Sequence, residues 1–235
     1  MARVLCIGDT HEPFTHKHYL DFCRRIRDKH KCDTVVHIGD EVDNHAISFH
    51  EHDPDGWSPG HEAEAALAKL RDWYKTFPRC NVCIGNHGAR HFRVAFKAGL
   101  SKRFIRDYAE AWDAPEGWTW KDEWTIDGVL YTHGIGSSGK YAHVLRAEAC
   151  RQSVVMGHLH TGAGVQYLAS SHDLIFGMNV GCGLDLDAYA MAYSKPFPRR
   201  PVLGCGVVID GIEAVFEPML FRNHRINRPA VAVPK

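Results

Sequence analysis

The sequence predicts an α/β protein in which short buried strands alternate with amphipathic helices. Five stretches share one pattern, an apolar, β-branched run that ends at glycine and polar residues: RVLCIGDTH, TVVHIGDEVD, NVCIGNHG, VLYTHG and VVMGHLH. Short apolar runs bounded by turn-forming residues are typical of strands that are buried on both faces. Helical patterns between these runs complete the alternation that is typical of the α/β class.

The helices are predicted from apolar side chains at helical spacing. Residues 16–30 carry an apolar face opposite a basic one, and a second stripe over residues 61–77 ends at Pro78. A further helix is expected over residues 140–150. The apolar stripes are interpreted as packing faces, since their spacing matches a helix that covers a sheet.

Two segments interrupt the alternation of strands and helices. Residues 44–60 are rich in histidine and turn-forming residues and are predicted to form a loop, whereas residues 88–120 are predicted to form a helical insert. After residue 165, glycine-separated apolar runs predict a second sheet. No linker or internal repeat divides the chain, so we predict a single domain over residues 1–235 with a helical insert at about 88–120.

Composition and charge exclude several classes of protein. The chain has 235 residues, of which 45% are hydrophobic and 24% charged, as in ordinary globular proteins. No apolar run approaches the roughly 20 residues of a membrane span, so we expect a cytoplasmic protein with no membrane partner. Basic and acidic residues number 28 each, whereas proteins that bind long nucleic acids usually carry a basic excess. A small substrate is therefore favoured, and a local basic patch stays open as an alternative.

The eight cysteines are interpreted as reduced, buried thiols, because several lie inside strand patterns. Cys80 and Cys83 form a CxxC pair with the spacing of a zinc site. The chain has no second pair, and alternation along a strand would point these two side chains to opposite faces. We therefore predict no structural zinc site.

Polar side chains with metal-binding donors follow each of the five predicted strands. In open α/β sheets, ligands gather at the carboxyl ends of the strands, so residues at these ends can converge. Carboxylate, amide and imidazole donors without thiolate suit manganese, iron or zinc. Two such ions ~3.5–4 Å apart can hold a hydroxide nucleophile and clamp a phosphate for in-line displacement. The residues are Asp9, His11, Asp40, Asp43, Asn86, His87, His133, His158 and His160.

In their order along the chain, the motifs GDTH, GDEVD, GNH, THG and GHLH resemble the five blocks of the calcineurin-like metallophosphoesterase superfamily. The resemblance covers the strand ends from residue 8 to residue 160. It implies a four-layer αββα sandwich of two mixed β-sheets flanked by helices. It also implies hydrolysis of phosphoesters by a hydroxide that bridges two metal ions.

The same resemblance implies a role for each motif residue. His87 resembles the superfamily's catalytic histidine, which protonates the leaving oxygen, and Asp43 is expected to orient neighbouring groups. Two divalent ions are implied, with Mn²⁺ favoured and Fe, Zn or Ni as alternatives. The implied ligands are Asp9, His11 and His160 for one ion, Asn86, His133 and His158 for the other, and Asp40 bridging both.

The sequence departs from the superfamily pattern at two positions. The GNH block is usually followed by an acidic residue, which helps to orient the histidine, but here it is followed by Gly88. Asp43 and the loop after it are candidate substitutes. The GDxxD block is often followed by xG, but here by Asn44 and His45. The predicted substrate contacts are His45, Arg90 and Asn86.

The predicted function is a metal-dependent phosphodiesterase that hydrolyses small, nucleotide-like phosphodiesters. The aromatic residues Phe49, Trp57 and Phe92 near the motifs could stack a base. The alternatives on the same site are a nuclease and a phosphomonoesterase such as a protein phosphatase. A non-catalytic metal-binding scaffold is less favoured, because every expected ligand position and His87 are present. The oligomeric state is left open.

Overall fold

Two mixed β-sheets lie at the centre of the protein, in a computed structural model that describes residues 1–49, 55–185 and 199–220. In the six-stranded sheet, β1 to β4 are parallel neighbours in sequence order, and β10 and β11 extend the β1 edge in antiparallel fashion. Its strands are β1 (Arg3–Ile7), β2 (Thr34–His37), β3 (Cys80–Cys83), β4 (Trp118–Lys121), β10 (Gly204–Ile209) and β11 (Glu213–Pro218).

The second sheet has five strands in the order β5-β6-β7-β9-β8. Strands β6, β7 and β9 are parallel to one another, and the two edge strands run antiparallel to their neighbours. The strands are β5 (Glu123–Ile126), β6 (Val129–Thr132), β7 (Val154–Met156), β8 (Gly164–Ala169) and β9 (Leu174–Asn179).

Helices connect the strands of both sheets. Ser58 caps the longest helix by accepting a hydrogen bond from the His61 N–H at 3.3 Å, and Pro59 occupies the first turn. The α-helices are α1 (Tyr19–His30), α2 (Pro59–Thr76), α3 (Arg90–Lys97), α4 (Tyr108–Ala111) and α5 (Ala142–Cys150), and short 3₁₀ helices span His45–Ile47 and Lys102–Phe104.

The apolar contacts arrange these elements in four layers. One cluster lies between the sheets and joins residues such as Val36 and Tyr131. A second packs α1 and α2 against the outer face of the six-stranded sheet, and a smaller one packs α5 against the five-stranded sheet. Each fully buried apolar side chain contributes roughly 1.5–3 kcal/mol. The predicted αββα sandwich of two mixed sheets is confirmed.

The structure confirms the five predicted strands and corrects two other predictions. The runs after residue 165 do not form the second sheet by themselves, because β8 and β9 join β5, β6 and β7 in it, whereas β10 and β11 extend the first sheet. The predicted insert at about 88–120 contains α3, α4 and the second 3₁₀ helix, but its last residues belong to β4, which pairs with β3. Trp118 is buried and Thr119 exposed, so the alternation of a strand replaces the helical period at that point.

All eight cysteines lie in the described residues and none forms a disulfide. In this part of the chain, no helix has the length and apolar character needed to cross a membrane.

The parallel strands determine where the motif residues meet. Ile7 of β1 is in register with His37 of β2, which is in register with Val82 of β3. Tyr131 of β6 is in register with Val155 of β7 in the other sheet. The loops after these five strands therefore leave the two sheets at the same end of the sandwich.

A buried imidazole fixes the loops that follow β1 and β2. The Gly39 N–H donates to His37 Nδ1 at 3.2 Å, so Nε2 carries the proton and faces Thr10 Oγ1 at 3.1 Å. The Thr10 hydroxyl donates to the Glu41 carbonyl at 2.9 Å. Burial lowers the pKa of His37 to about 4, although nearby carboxylates oppose the shift. Neutral His37 thus connects the two loops.

Acid should destabilise the fold through His37. Unfolded histidine takes up a proton below its ordinary pKa of about 6.5, whereas folded His37 does so only near 4. The unfolded state therefore binds more protons in this window, and stability falls as the pH drops from about 6.5 to about 4. The variant His37→Asn keeps an acceptor for Gly39 but cannot be protonated. We expect it to be less stable than the wild type at pH 8 and to lose less stability on acidification.

Urea unfolding of the metal-free proteins at a series of pH values measures both effects. The control is His172→Asn, which changes an exposed histidine and should keep the wild-type profile. Equal losses of stability in His37→Asn and the wild type would show that His37 is not buried in its neutral form.

Candidate metal centre

The motif residues that follow the five strands converge on one site. Three groups of side chains have candidate ligand atoms within 4.8 Å of one another: Asp9, His11 and His160; Asp40, His133 and His158; and His11, Asp40 and His87. The first two groups correspond to the two ligand sets predicted from the motifs. Because the third group shares members with both, the clusters form one continuous centre.

The first group is built around the carboxylate of Asp9, which is fully buried. Its Oδ2 accepts the backbone N–H of His158 at 2.9 Å and lies 2.8 Å from His160 Nε2. Burial alone would raise the pKa of Asp9, but His133 and His160 hold it below its ordinary value. His160 Nε2 also lies 3.3 Å from His11 Nε2. The group therefore combines an ionised carboxylate with two imidazole nitrogens.

The second group surrounds Asp40, which is 1% exposed. Its Oδ2 lies 3.1 Å from His133 Nε2, which in turn lies 3.0 Å from Asn86 Oδ1. His133 Nδ1 donates to the Ile38 carbonyl at 2.9 Å, which leaves Nε2 directed at the carboxylate. The ring of His158 packs edge to face on His133 with centroids 4.9 Å apart.

Asp40 lies between the two groups. Its Oδ2 is 3.1 Å from His133 Nε2 and 3.9 Å from His11 Nε2. Burial raises the pKa of Asp40, but the neighbouring histidines, His133 first, hold it well below its ordinary value. This position, between imidazoles of both groups, is compatible with the predicted bridging role.

The backbone at the strand ends is bent to bring these groups together. His11, Asp40 and His158 adopt φ angles of 52°, 50° and 66°, in the left-handed region that few residues other than glycine occupy. Such conformations cost roughly 1–3 kcal/mol each and persist only where the surroundings impose them. Three of them among the proposed ligands indicate that stability is given up for the geometry of this site.

His87 is held by two carboxylates. Its backbone N–H donates to Asp40 Oδ1 at 2.7 Å, and its Nδ1 lies 2.8 Å from Asp43 Oδ1. Asp43 Oδ1 is also 2.6 Å from His11 Nδ1. Burial would lower the pKa of His87, but Asp40 and Asp43 raise it above its ordinary value. Asp43 therefore contacts both a proposed metal ligand and the proposed catalytic histidine, as an orienting residue would.

Glu41 occupies the space beside Gly88. A Cβ atom at Gly88 would lie 3.1 Å and 3.2 Å from the two carboxylate oxygens of Glu41. A larger residue at position 88 would therefore require the Glu41 carboxylate to shift by a few tenths of an ångström. Glu41 is 1% exposed and accepts a hydrogen bond from Trp120 Nε1 at 3.0 Å. Burial raises its pKa to about 7. Sequence reasoning missed this residue, although it lies inside the GDEVD motif.

The predicted substrate contacts surround His87. Arg90 is 6% exposed, and its Nη1 donates to the carbonyls of Asp43 and Asn44 at 2.8 Å and 3.1 Å. Its Nη2 lies 3.2 Å from His87 Nε2. His45 Nδ1 lies 3.7 Å from Asp43 Oδ2. Arg90 and His45 thus border the centre, and their contact with a substrate stays a prediction.

A second residue missed by sequence reasoning supports the loop after the GDxxD block. The Glu62 carboxylate accepts the backbone N–H groups of His45 and Ala46, both at 2.6 Å. It thereby satisfies the N-terminal donors of a 3₁₀ helix. Glu62 lies in the first turn of α2. From the sequence alone, an acidic residue at this place indicates only a favourable interaction with the helix dipole. Its role in positioning His45 depends on tertiary packing.

The chemistry of the donor set fits divalent metal ions. Within the described residues, Asp9 Oδ1 is buried and has no hydrogen-bond partner, so a buried carboxylate oxygen is left for another cation. Asp40 and Asp43 bring the number of buried aspartates at the site to three. His133 has a pKa of about 9, raised against burial by Asp40 and Asp9, so a metal ion at Nε2 would displace its proton. Hard oxygen donors with imidazoles suit Mn²⁺, Fe²⁺ or Zn²⁺.

Two glycines allow the carboxylates to sit against the backbone. A Cβ atom at Gly85 would overlap with Asp40 Oδ1, and one at Gly157 would overlap with Asp9 Oδ1. We expect Gly85→Ala to displace Asp40 and to lose most of the bound metal, since overpacking of this kind costs roughly 1–3 kcal/mol. Gly60→Ala is the matched control, because nothing lies within 4 Å of its Cβ position.

Metal content after dialysis, measured by elemental analysis of folded protein, checks this expectation. Circular dichroism confirms that each variant is folded. Full metal occupancy in Gly85→Ala would show that Asp40 does not need its present position.

The chain is similar to known proteins in sequence and in structure. The sequence model described as calcineurin-like phosphoesterase matches residues 2–176, and no curated protein sequence is significantly similar to the chain. Vacuolar protein sorting 29 from Cryptosporidium parvum is 14% identical, with a TM-score of 0.42 and coverage of 93% of this chain and 97% of that one. The nuclease MPE from Pseudomonas putida is 13% identical, with a TM-score of 0.40 and coverage of 92% of this chain and 86% of that one. A metallophosphoesterase from Sphaerobacter thermophilus is 12% identical, with a TM-score of 0.44 and coverage of 94% of this chain and 89% of that one. The family match extends over most of the chain, which belongs to the calcineurin-like phosphoesterase family.

Proposed function

We propose that the protein is a metal-dependent phosphodiesterase that hydrolyses small, nucleotide-like phosphodiesters. Membership of the family supports hydrolysis of phosphoester bonds with a dinuclear metal centre. The observation that carries the proposal is the arrangement of Asp40 and His87. Asp40 stands between the two candidate metal groups, and its Oδ1 accepts the backbone N–H of His87 at 2.7 Å.

The proposed ligands are divided between two positions. When bound, two divalent ions would neutralise the phosphate and supply a strong nucleophile at neutral pH. We favour Mn²⁺ because carboxylate, amide and imidazole donors dominate the site. The residues that would hold the ions are Asp9, His11 and His160 at one position, Asn86, His133 and His158 at the other, and Asp40 at both.

His87 is proposed to protonate the leaving oxygen. Its Nδ1 faces Asp43, so Nε2, which lies beside Arg90 Nη2, is the nitrogen that would face a substrate. Asp40 and Asp43 raise the pKa of His87 against the effect of burial, which favours the protonated form that a general acid needs. Asp43 holds the ring by a side-chain contact at 2.8 Å and a backbone contact at 2.9 Å.

Arg90 is proposed to bind the phosphate together with His87. Arg90 Nη2 and His87 Nε2 lie 3.2 Å apart. When His87 is protonated both atoms are donors, so a phosphate oxygen that accepts from both would relieve their repulsion. The hydrogen bonds from Nη1 to Asp43 and Asn44 hold the guanidinium in this position.

A diester is favoured over a monoester for a chemical reason. The leaving group of a nucleotide ester is an alkoxide, which gains most from a proton donor such as His87. Diesters and monoesters share this need, so the charge of the phosphate distinguishes them. A monoester carries a second negative charge, which would call for further cations beside Arg90.

The absence of disulfides among the eight cysteines favours a reducing compartment, and we propose the cytoplasm.

Hydrolysis of bis-p-nitrophenyl phosphate and of p-nitrophenyl phosphate separates the candidate chemistries. With added manganese, we expect the wild type to turn over the diester faster than the monoester, and Asp40→Ala to be inactive. His172→Ala, at an exposed position, serves as a control that keeps full activity. Preferred hydrolysis of the monoester would instead indicate a phosphomonoesterase. A folded, metal-loaded protein that hydrolyses no ester would indicate a scaffold.

The role of His87 as an acid predicts a dependence on the leaving group. Removal of a general acid costs roughly 10²–10⁴-fold in rate when the leaving group needs a proton. We expect His87→Ala to lose activity by such a factor on a dinucleotide, and by much less on bis-p-nitrophenyl phosphate. Steady-state kcat values for the two substrates check this. Equal losses on both would assign His87 to positioning rather than to proton transfer.

A further inference from the structure

A strongly basic and partly apolar surface lies beside the metal centre. Residues 88–106 contain six lysines and arginines and no acidic residue, although the whole chain carries 28 charges of each sign. We define the basic–aromatic surface as the exposed side chains of this segment: Arg93, Phe96, Lys97, Leu100, Lys102, Arg103, Phe104 and Arg106. Arg90, the sixth cation, is buried against the site instead. The charge of this surface is therefore segregated from that of the rest of the chain.

Apolar side chains stand between the cations. Phe96, Leu100 and Phe104 are 53%, 49% and 75% exposed. Isolated exposed apolar residues are common on protein surfaces. Three of them within nine residues, each next to basic side chains, form the kind of patch that marks an interaction site. The opposite side of α3 packs inward through Phe92, which is 8% exposed and lies 5.1 Å from the ring of Tyr108.

Phe49 adds an aromatic ring to this surface. The guanidinium of Arg93 lies 5.0 Å and the ammonium of Lys97 5.3 Å from the centroid of its ring, which is 45% exposed. Lys102 lies 5.9 Å from the ring of Phe92 in the same way. Such cation–π contacts order the long basic side chains without removing their charge from solvent. The surface thus presents ordered cations beside exposed rings.

The surface starts at the proposed catalytic histidine. Helix α3 begins at Arg90, whose Nη2 lies 3.2 Å from His87 Nε2. The helix has eight residues, so its far end lies roughly 12 Å along its axis from the site. A chain of a few nucleotides is long enough to cover this distance. A strand of a few nucleotides bound along this surface would therefore also reach the metal centre.

We propose that the basic–aromatic surface binds single-stranded nucleic acid and leads a phosphodiester of the strand to the metal centre. Cations along a groove or face that pair with phosphates, together with rings that stack bases, are how proteins bind single strands without sequence preference. Base stacking accounts for the exposed rings, which a small inorganic or sugar phosphate would leave unused. The consequence for catalysis rests on the proposed phosphodiesterase function and extends its substrates from small diesters to single strands, but binding itself does not rest on it.

Fluorescence anisotropy with a labelled oligothymidylate of about twelve nucleotides tests the proposal. The His87→Ala protein loaded with manganese is the background, because it keeps the proposed ligands and slows hydrolysis. We expect binding that weakens with salt, with a slope of log K against log [salt] of roughly −3.5 if the five exposed cations pair with phosphates.

Two variants separate the charges from the rings. Lys102→Glu with Arg103→Glu should weaken binding at least about tenfold and make the salt slope shallower. Phe96→Ala with Phe104→Ala should weaken it roughly tenfold and leave the slope unchanged. Arg25→Glu with Lys75→Glu is the matched control, since both side chains are exposed on other helices and the change in net charge is the same. Each pair should retain wild-type hydrolysis of bis-p-nitrophenyl phosphate when placed in the wild-type chain.

The outcomes distinguish this inference from the proposed function. Hydrolysis of bis-p-nitrophenyl phosphate without oligonucleotide binding, or equal binding by all three variants, would overturn the inference and leave the function standing. Oligonucleotide binding without hydrolysis of any diester would support the surface and contradict the function. Binding to phosphatidylserine vesicles but not to the oligonucleotide would assign the surface to a membrane and also overturn the inference.

Discussion

The structure depends on the burial of ionised carboxylates at the ends of neighbouring parallel strands. Asp9 and Asp40 are at most 1% exposed, and an isolated buried carboxylate would take up a proton rather than keep its charge. The surrounding histidines instead hold both pKa values below the ordinary range. The protein thus keeps negative charge in its interior, and Asp9 Oδ1 has no hydrogen-bond partner among the described residues. Two divalent cations would compensate this charge.

The rest of the fold serves this arrangement. The β1–β2–β3 and β6–β7 parallel pairings bring five loops to one end of the sandwich. Glycines at positions 85 and 157 let the two carboxylates lie against the backbone. Left-handed φ angles at proposed ligands add conformational cost. The apolar clusters that pack the four layers together offset that cost, since they stabilise the two sheets and the helices against them.

Asp43 connects the metal centre to the groups that would act on the substrate. One of its carboxylate oxygens contacts both His11 and His87, and its carbonyl accepts from Arg90. A shift of Asp43 would therefore alter a proposed metal ligand, the proposed acid and the proposed phosphate contact together. Arg90 is also the first residue of α3, the helix that carries part of the basic–aromatic surface. The proposed binding surface and the proposed catalytic site therefore adjoin at the start of α3.

The sequence by itself determined the five motif strands and the donors that follow them, because these features are local. The hydrophobic period, the turn-forming residues and the motif spacings each involve residues that are only a few positions apart in the chain. Only the tertiary structure decided that Glu41 lies against Gly88, that Glu62 supports His45, and that Trp118 to Trp120 form a strand beside β3. These contacts join residues far apart in sequence or depend on packing between layers. The neutral overall charge left a local basic patch open, and residues 88–106 supply its cations. Only the structure decided which of these side chains are exposed, because exposure depends on packing.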